Sequence, residues 1–80
     1  MFIVVVSKIA NHFLFDTFLN AANHITKTYK PYSKQQAYEL FQTEYNVKLR
    51  VIQTPKHSDI YYIINFISEQ EYYLFLYKWS

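Results

Sequence analysis

Short runs of β-branched and aromatic residues alternate along this chain with stretches of helical spacing, and polar clusters separate them. Phe2-Ile3-Val4-Val5-Val6 is uninterrupted in its apolar character and reads as a buried strand. Residues 8–28 carry two competing patterns. Ala10, Leu14, Phe18, Ala21 and Ile25 fall at spacings of 4, 4, 3 and 4, the stripe of an amphipathic helix. His12-Phe13-Leu14-Phe15-Asp16 also alternates as a short strand would, with Asp16 placed to cap a helix from about Thr17. A helix over 17–27 satisfies both patterns, and 8–15 stays open between helix and strand.

Lys27 to Tyr32, closed by Pro31, reads as a connecting loop. Ser33-Lys34-Gln35-Gln36 has the form of a capping box, Ser followed by Gln three positions on. It opens a helix to about Tyr45, with Ala37, Leu40, Phe41 and Tyr45 on one face. Asn46 tolerates positive φ and is placed to end it. Val47-Lys48-Leu49-Arg50-Val51 alternates strictly, the mark of a half-buried strand. Residues 54–59 form a turn, and Ile60 to Ile67 a second strand whose apolar density predicts cover on both faces. Ser68-Glu69-Gln70-Glu71 repeats the capping box and starts a final helix with Tyr72, Phe75, Leu76 and Trp79 on one side.

The predicted order is therefore β-α-α-β-β-α: an α+β domain with a small antiparallel sheet of about three strands and helices on one face. A truncated ferredoxin-like arrangement is one way to build it, and it can leave the other face of the sheet uncovered.

Composition sharpens this. Eighty residues suit one domain, spanning 1–80, whose folding buries only about 60% of the unfolded surface. Yet 51% of the residues are apolar and 21% aromatic, with nine Tyr, seven Phe and Trp79. Each buried ring removes about 150–250 Å² from water, so one small core cannot hold them all. The surplus belongs on the surface or in an interface, where Tyr and Trp bury area while keeping a polar handle. Tyr61 and Tyr62 point to opposite faces of their strand, and Tyr72, Tyr73, Tyr77 and Trp79 ring the last helix. These six are the candidate protein interface, and a homodimer is the simplest assembly to use it.

Absences narrow the chemistry. Without Cys there are no disulfides, thiolate zinc sites or Cys nucleophiles. Without Gly there is no glycine-rich phosphate loop. The apolar run 1–6 is too short for a signal-peptide core, and no stretch approaches the roughly 18 apolar residues of a membrane span. A soluble, cytoplasmic protein with no cofactor is expected. His12, His24 and His57 are scattered, with no acidic cluster at ligand spacing, so no metal centre is expected. Asp16, Glu69 and Glu71 are explained by helix starts, and Ser33, Ser58 and Ser68 by caps or a turn. A His57–Asp59 couple is the sole acid–base pairing of note, and a turn holding both is common. The chain reads as a binding protein, not an enzyme.

Charge is uneven. Residues 24–57 hold Lys27, Lys30, Lys34, Lys48, Arg50 and Lys56 against Glu39 and Glu44, a local net of +4, while 58–80 net −2. Within 24–34 the lysines interleave with Tyr29 and Tyr32 and no acid. Ammonium groups suit phosphate, and Tyr rings stack on unpaired bases. Lys48 and Arg50 share a strand face, and Lys56 adjoins it. These eight residues are the candidate nucleic-acid surface, with RNA or another single strand as the partner. Ordinary solvation of a loop and a strand face is the competing explanation.

The segment Phe66-Ile67-Ser68-Glu69-Gln70-Glu71-Tyr72-Tyr73-Leu74-Phe75-Leu76-Tyr77-Lys78-Trp79 resembles the endings of small accessory proteins of tailed bacteriophages. In those a strand runs into an acidic helix start and a closing Leu-Phe-x-x-x-Trp. It covers about a fifth of the chain and departs in its two Tyr after the acids. The resemblance implies a compact protein that acts stoichiometrically on a host factor in the host cytoplasm. Inhibitors of host toxin ribonucleases are one such class, and there protein and RNA binding coexist.

Overall fold

A computed structural model describes residues 1–55 and 59–80. Its elements run β1 (Phe2–Val6), α1 (His12–Tyr29), α2 (Lys34–Tyr45), β2 (Lys48–Gln53), β3 (Ile60–Phe66) and α3 (Glu69–Trp79). This is the predicted α+β order, with three helices and a three-stranded antiparallel sheet. The strand order is β1-β3-β2, so β3 is central and both neighbours run antiparallel to it. β1 and β2 are thus parallel to each other with β3 inserted between, the split arrangement of a ferredoxin-like sheet, with no strand beyond β1 among the described residues.

Each helix begins where a short polar side chain captures a free amide. The Ser33 hydroxyl accepts from the Gln36 amide at 3.1 Å, and the Gln36 side chain accepts from the Tyr32 amide at 2.9 Å. The Ser68 hydroxyl accepts from the Glu71 amide at 3.3 Å. Both serines therefore cap their helices as the spacing predicts, while the reciprocal side-chain bond is made only by Gln36, and to the amide preceding the cap. The first helix differs from expectation. It starts at His12, not Thr17, because the Asn11 side chain accepts from the Leu14 amide at 3.1 Å. A turn from buried Ser7, whose hydroxyl accepts from the Ala10 amide at 3.0 Å, delivers the chain to that cap. Asp16 lies inside the helix, exposed, and caps nothing.

Two of the helices end on a residue of positive φ, and both residues are non-glycine. Lys30 closes α1 at φ 49° and Asn46 closes α2 at φ 54°. Asn46 bears this readily; Lys30 does so at a cost, and it precedes Pro31.

The core lies between the sheet and the helices. Alternation sends Phe2, Val4 and Val6 of β1, Leu49 of β2, and Tyr62, Ile64 and Phe66 of β3 toward the helical layer. There they meet Phe18, Ala21 and Ile25 of α1, Phe41 of α2, and Tyr72, Phe75 and Trp79 of α3. Aromatic pairs tie the layers together. Phe18 sits 4.5 Å from Tyr62 and 5.2 Å from Phe41, and Phe41 meets Tyr45 edge-on at 4.7 Å. The expected packing of helices on one face is met, but the expectation that β3 is covered on both faces is not: among the described residues, all three helices lie on one side of the sheet and none on the other.

Candidate interaction surface on the open sheet face

The same alternation that fills the core dictates what the open face presents. β1 contributes Ile3 and Val5, β3 contributes Tyr61, Ile63 and Asn65, and β2 contributes Lys48, Arg50 and Ile52. The register aligns them in rows. Ile3, Asn65 and Lys48 lie side by side, then Val5, Ile63 and Arg50, then Tyr61 beside Ile52. Ile3, Val5, Ile63, Tyr61 and Ile52 are therefore contiguous, with a basic border on the β2 side. Ile3 is 62% exposed and Val5 51%, well beyond what a single stray apolar residue contributes. Asn65 interrupts the apolar rows; its Nδ2 donates to the Met1 sulfur at 3.2 Å, while its Oδ1 is buried with no partner.

The six expected interface rings divide. Tyr62 packs on Phe18, and Tyr72 lies 5.0 Å from Phe2 and 5.4 Å from Phe66. Trp79 stacks near His24 at 5.0 Å and Tyr45 at 5.7 Å. These three bind the helices to the core. Burial pushes the phenols of Tyr62 and Tyr72 above the usual tyrosine range. Tyr61 stands on the open face, half-buried between strands. Tyr73 and Tyr77 stand on the outer side of α3, 57% and 88% exposed.

The eight expected basic and aromatic residues divide as well. Lys27, Tyr29, Lys30, Tyr32 and Lys34 are exposed around the α1–α2 connection, in the helical layer. Lys48 and Arg50 are exposed on the opposite face of the sheet, so the two sets do not make one track. Lys56 lies outside the described residues, as does His57. The 24–34 segment is also less free of acid than its sequence reads. The Tyr29 hydroxyl donates to the Glu44 carboxylate, which raises the Tyr29 pKa chiefly through that hydrogen bond.

Among the described residues, no three or more His, Cys, Asp or Glu side chains gather as a metal site would need, and no helix is long and apolar enough to cross a membrane. Glu69 and Glu71 sit in the first turn of α3, where the helix dipole favours carboxylates.

The sequence pointed to Tyr61, Lys48 and Arg50, and to one of Ile63 and Ile64 leaving the core, but not to Ile3, Val5 or Ile52. The available signal was that β1 and β3 are apolar at odd and even positions alike, more than a sheet covered on one side needs. Comparison with protein-family models, with curated proteins and with solved structures finds no match for this chain.

Proposed function

We propose that this chain is a stoichiometric protein-binding module, a phage-type inhibitor or regulator of a host protein, that docks its partner on the open face of the sheet. The observation that carries the reading is the contiguous Ile3–Val5–Ile63–Tyr61–Ile52 surface, with Ile3, Val5 and Ile52 exposed and Ile63 and Tyr61 half-buried, on the side of the sheet away from the described helices. Aliphatic side chains gain by being desolvated against another apolar surface. Lys48 and Arg50 on the border favour an acidic rim on the partner. The protein acts by occupancy and not by turnover.

RNA is the competing partner, favoured by Lys48 and Arg50 beside Tyr61 and by the exposed basic 24–34 segment. Base readout on an open sheet works through aromatic planes stacked on bases. Here β1 offers only Ile3 and Val5, and among the described residues Tyr61 is the single ring on the strands' open face, so protein is the better-matched occupant.

The test is co-purification from the native host of wild type, Ile52→Lys and the double variant Tyr73→Ser/Tyr77→Ser, with recovered protein and RNA both quantified. Wild type and the α3 variant should retain one protein in fixed ratio, and Ile52→Lys should weaken it at least about tenfold, the effect of losing roughly 1.4 kcal/mol. Recovery of RNA instead, lost steeply with added salt and on charge reversal of Lys27, Lys30 and Lys34, would refute the protein reading.

A further inference from the structure

The two edges of the sheet are built differently. β2 alternates Lys48 and Arg50 along its outer face, and charged side chains on an edge strand oppose pairing with another copy. β1 has no such protection. Phe2–Val6 contains no charge, proline or bulge, and its five residues are all β-branched or aromatic. β3 takes one side of it. Among the described residues, no other backbone hydrogen bond reaches residues 2–6, so its second side offers free amides and carbonyls.

We infer that a second copy of this chain occupies that edge, β1 pairing antiparallel with β1 of the partner to make one continuous six-stranded sheet. The sequence of the strand is self-complementary in this register. A two-fold axis through Val4 sets Val4 against Val4 of the other copy, Ile3 against Val5, and Phe2 against Val6. Inward residues meet inward residues and outward meet outward, so both faces of the sheet continue across the axis without a step. No charge faces a like charge anywhere along the pairing. β2 paired with itself about Leu49 would instead set Lys48 against Arg50 of the other copy.

Apolar residues beyond the strand support the same occupant. Past Val6 the chain exposes Ile9 at 67% and Phe13 at 59%, and at the other end Phe2 packs on Tyr72 at 5.0 Å. Antiparallel pairing brings the Ile9/Phe13 end of one copy toward the Phe2/Tyr72 end of the other, at both ends of the ladder. It also joins the Ile3 and Val5 of two copies into one apolar surface. This pairing stands on the strand edge and holds whether or not the open face takes a host protein; Ile52, two strands away, reports on that separate claim.

Light scattering coupled to size-exclusion chromatography, over a concentration series reaching the millimolar range, tests it. Wild type should scatter as twice the 9.8 kDa chain. Val5→Lys should halve that mass with the circular dichroism unchanged, since Val5 is half-exposed in the monomer. Ile3→Lys serves the same purpose should Val5→Lys fail to fold. Ile3→Lys/Val5→Glu places opposite charges face to face across the axis and should restore the doubled mass. A single-chain mass for wild type throughout the series overturns the inference, as does an unchanged dimer for folded Val5→Lys.

Discussion

Phe41 is where the three helices meet, and replacing it with Leu measures how far the aromatic core holds this domain together. The ring is 2% exposed and faces Tyr45 at 4.7 Å, Phe18 at 5.2 Å and Phe75 at 6.2 Å. Phe41→Leu keeps an apolar side chain of comparable reach and removes the ring pairs. The two closest pairs are each worth about 0.5–1.5 kcal/mol beyond area burial, so the expected loss is about 1–3 kcal/mol. A domain of this length has on the order of 4–12 kcal/mol in total. The melting temperature should therefore fall by on the order of 10 °C, at about 4–8 °C per kcal/mol. Urea denaturation followed by circular dichroism reads the effect as a lower midpoint at unchanged slope. Tyr77→Ala, at an 88% exposed ring, should stay within about 0.5 kcal/mol of wild type. If Phe41→Leu costs no more than Tyr77→Ala, the division into structural and surplus rings is wrong.

Stability should also fail in alkali. Tyr45 donates to the Ala21 carbonyl at 2.8 Å, and burial, with the Glu44 charge nearby, holds its phenol well above the ordinary value of about 10. Tyr62 and Tyr72 are raised by burial too. A folded-state pKa above the unfolded one contributes stability that is complete below pH about 10 and lost as pH climbs through the folded value. The urea midpoint should be flat from neutrality to about pH 9 and decline above about 10, with tyrosinate absorbance rising at unfolding; a midpoint that holds through that range contradicts these burials. Lys30→Gly should raise the unfolding free energy by about 0.5–1 kcal/mol, read as a higher urea midpoint, because glycine adopts the left-handed conformation without the Cβ clash and relieves crowding against Pro31. A destabilised Lys30→Gly would show that the Lys30 side chain contributes more than its backbone strain costs.

What the sequence disclosed, and what it hid, follows from whether the deciding interaction was local. The caps at Ser33 and Ser68 and the stop at Asn46 are settled within four residues, and all three formed as their spacing predicts. The start of α1 was obscured because His12-Phe13-Leu14-Phe15 alternates and Asp16 resembles a cap. The contest was decided by Asn11 and by a turn from Ser7, and Phe13 was simply left exposed. The split of the aromatic residues could not be seen locally at all. Tyr72 and Tyr73 are neighbours of the same type, yet one packs on Phe2 and the other faces solvent, according to how α3 lies on the sheet. The placement of the helices on one face followed from the β-α-α-β-β-α order, but which strand residues that leaves on the open face depends on the register, which no local pattern gives. Lys48 and Arg50 were legible as a shared strand face; that this face opposes the Lys27–Lys34 segment depends on the topology.

The most direct measurement of the central claim is hydroxyl-radical footprinting of the protein bound to its co-purified partner, compared with the protein alone. Binding through the open face predicts loss of reactivity at Tyr61, Ile63 and Ile52, with Tyr73 and Tyr77 of α3 as reactive as before. Protection confined to Tyr73 and Tyr77, or to Tyr29 and Tyr32, with Tyr61 and Ile52 unchanged, would contradict it.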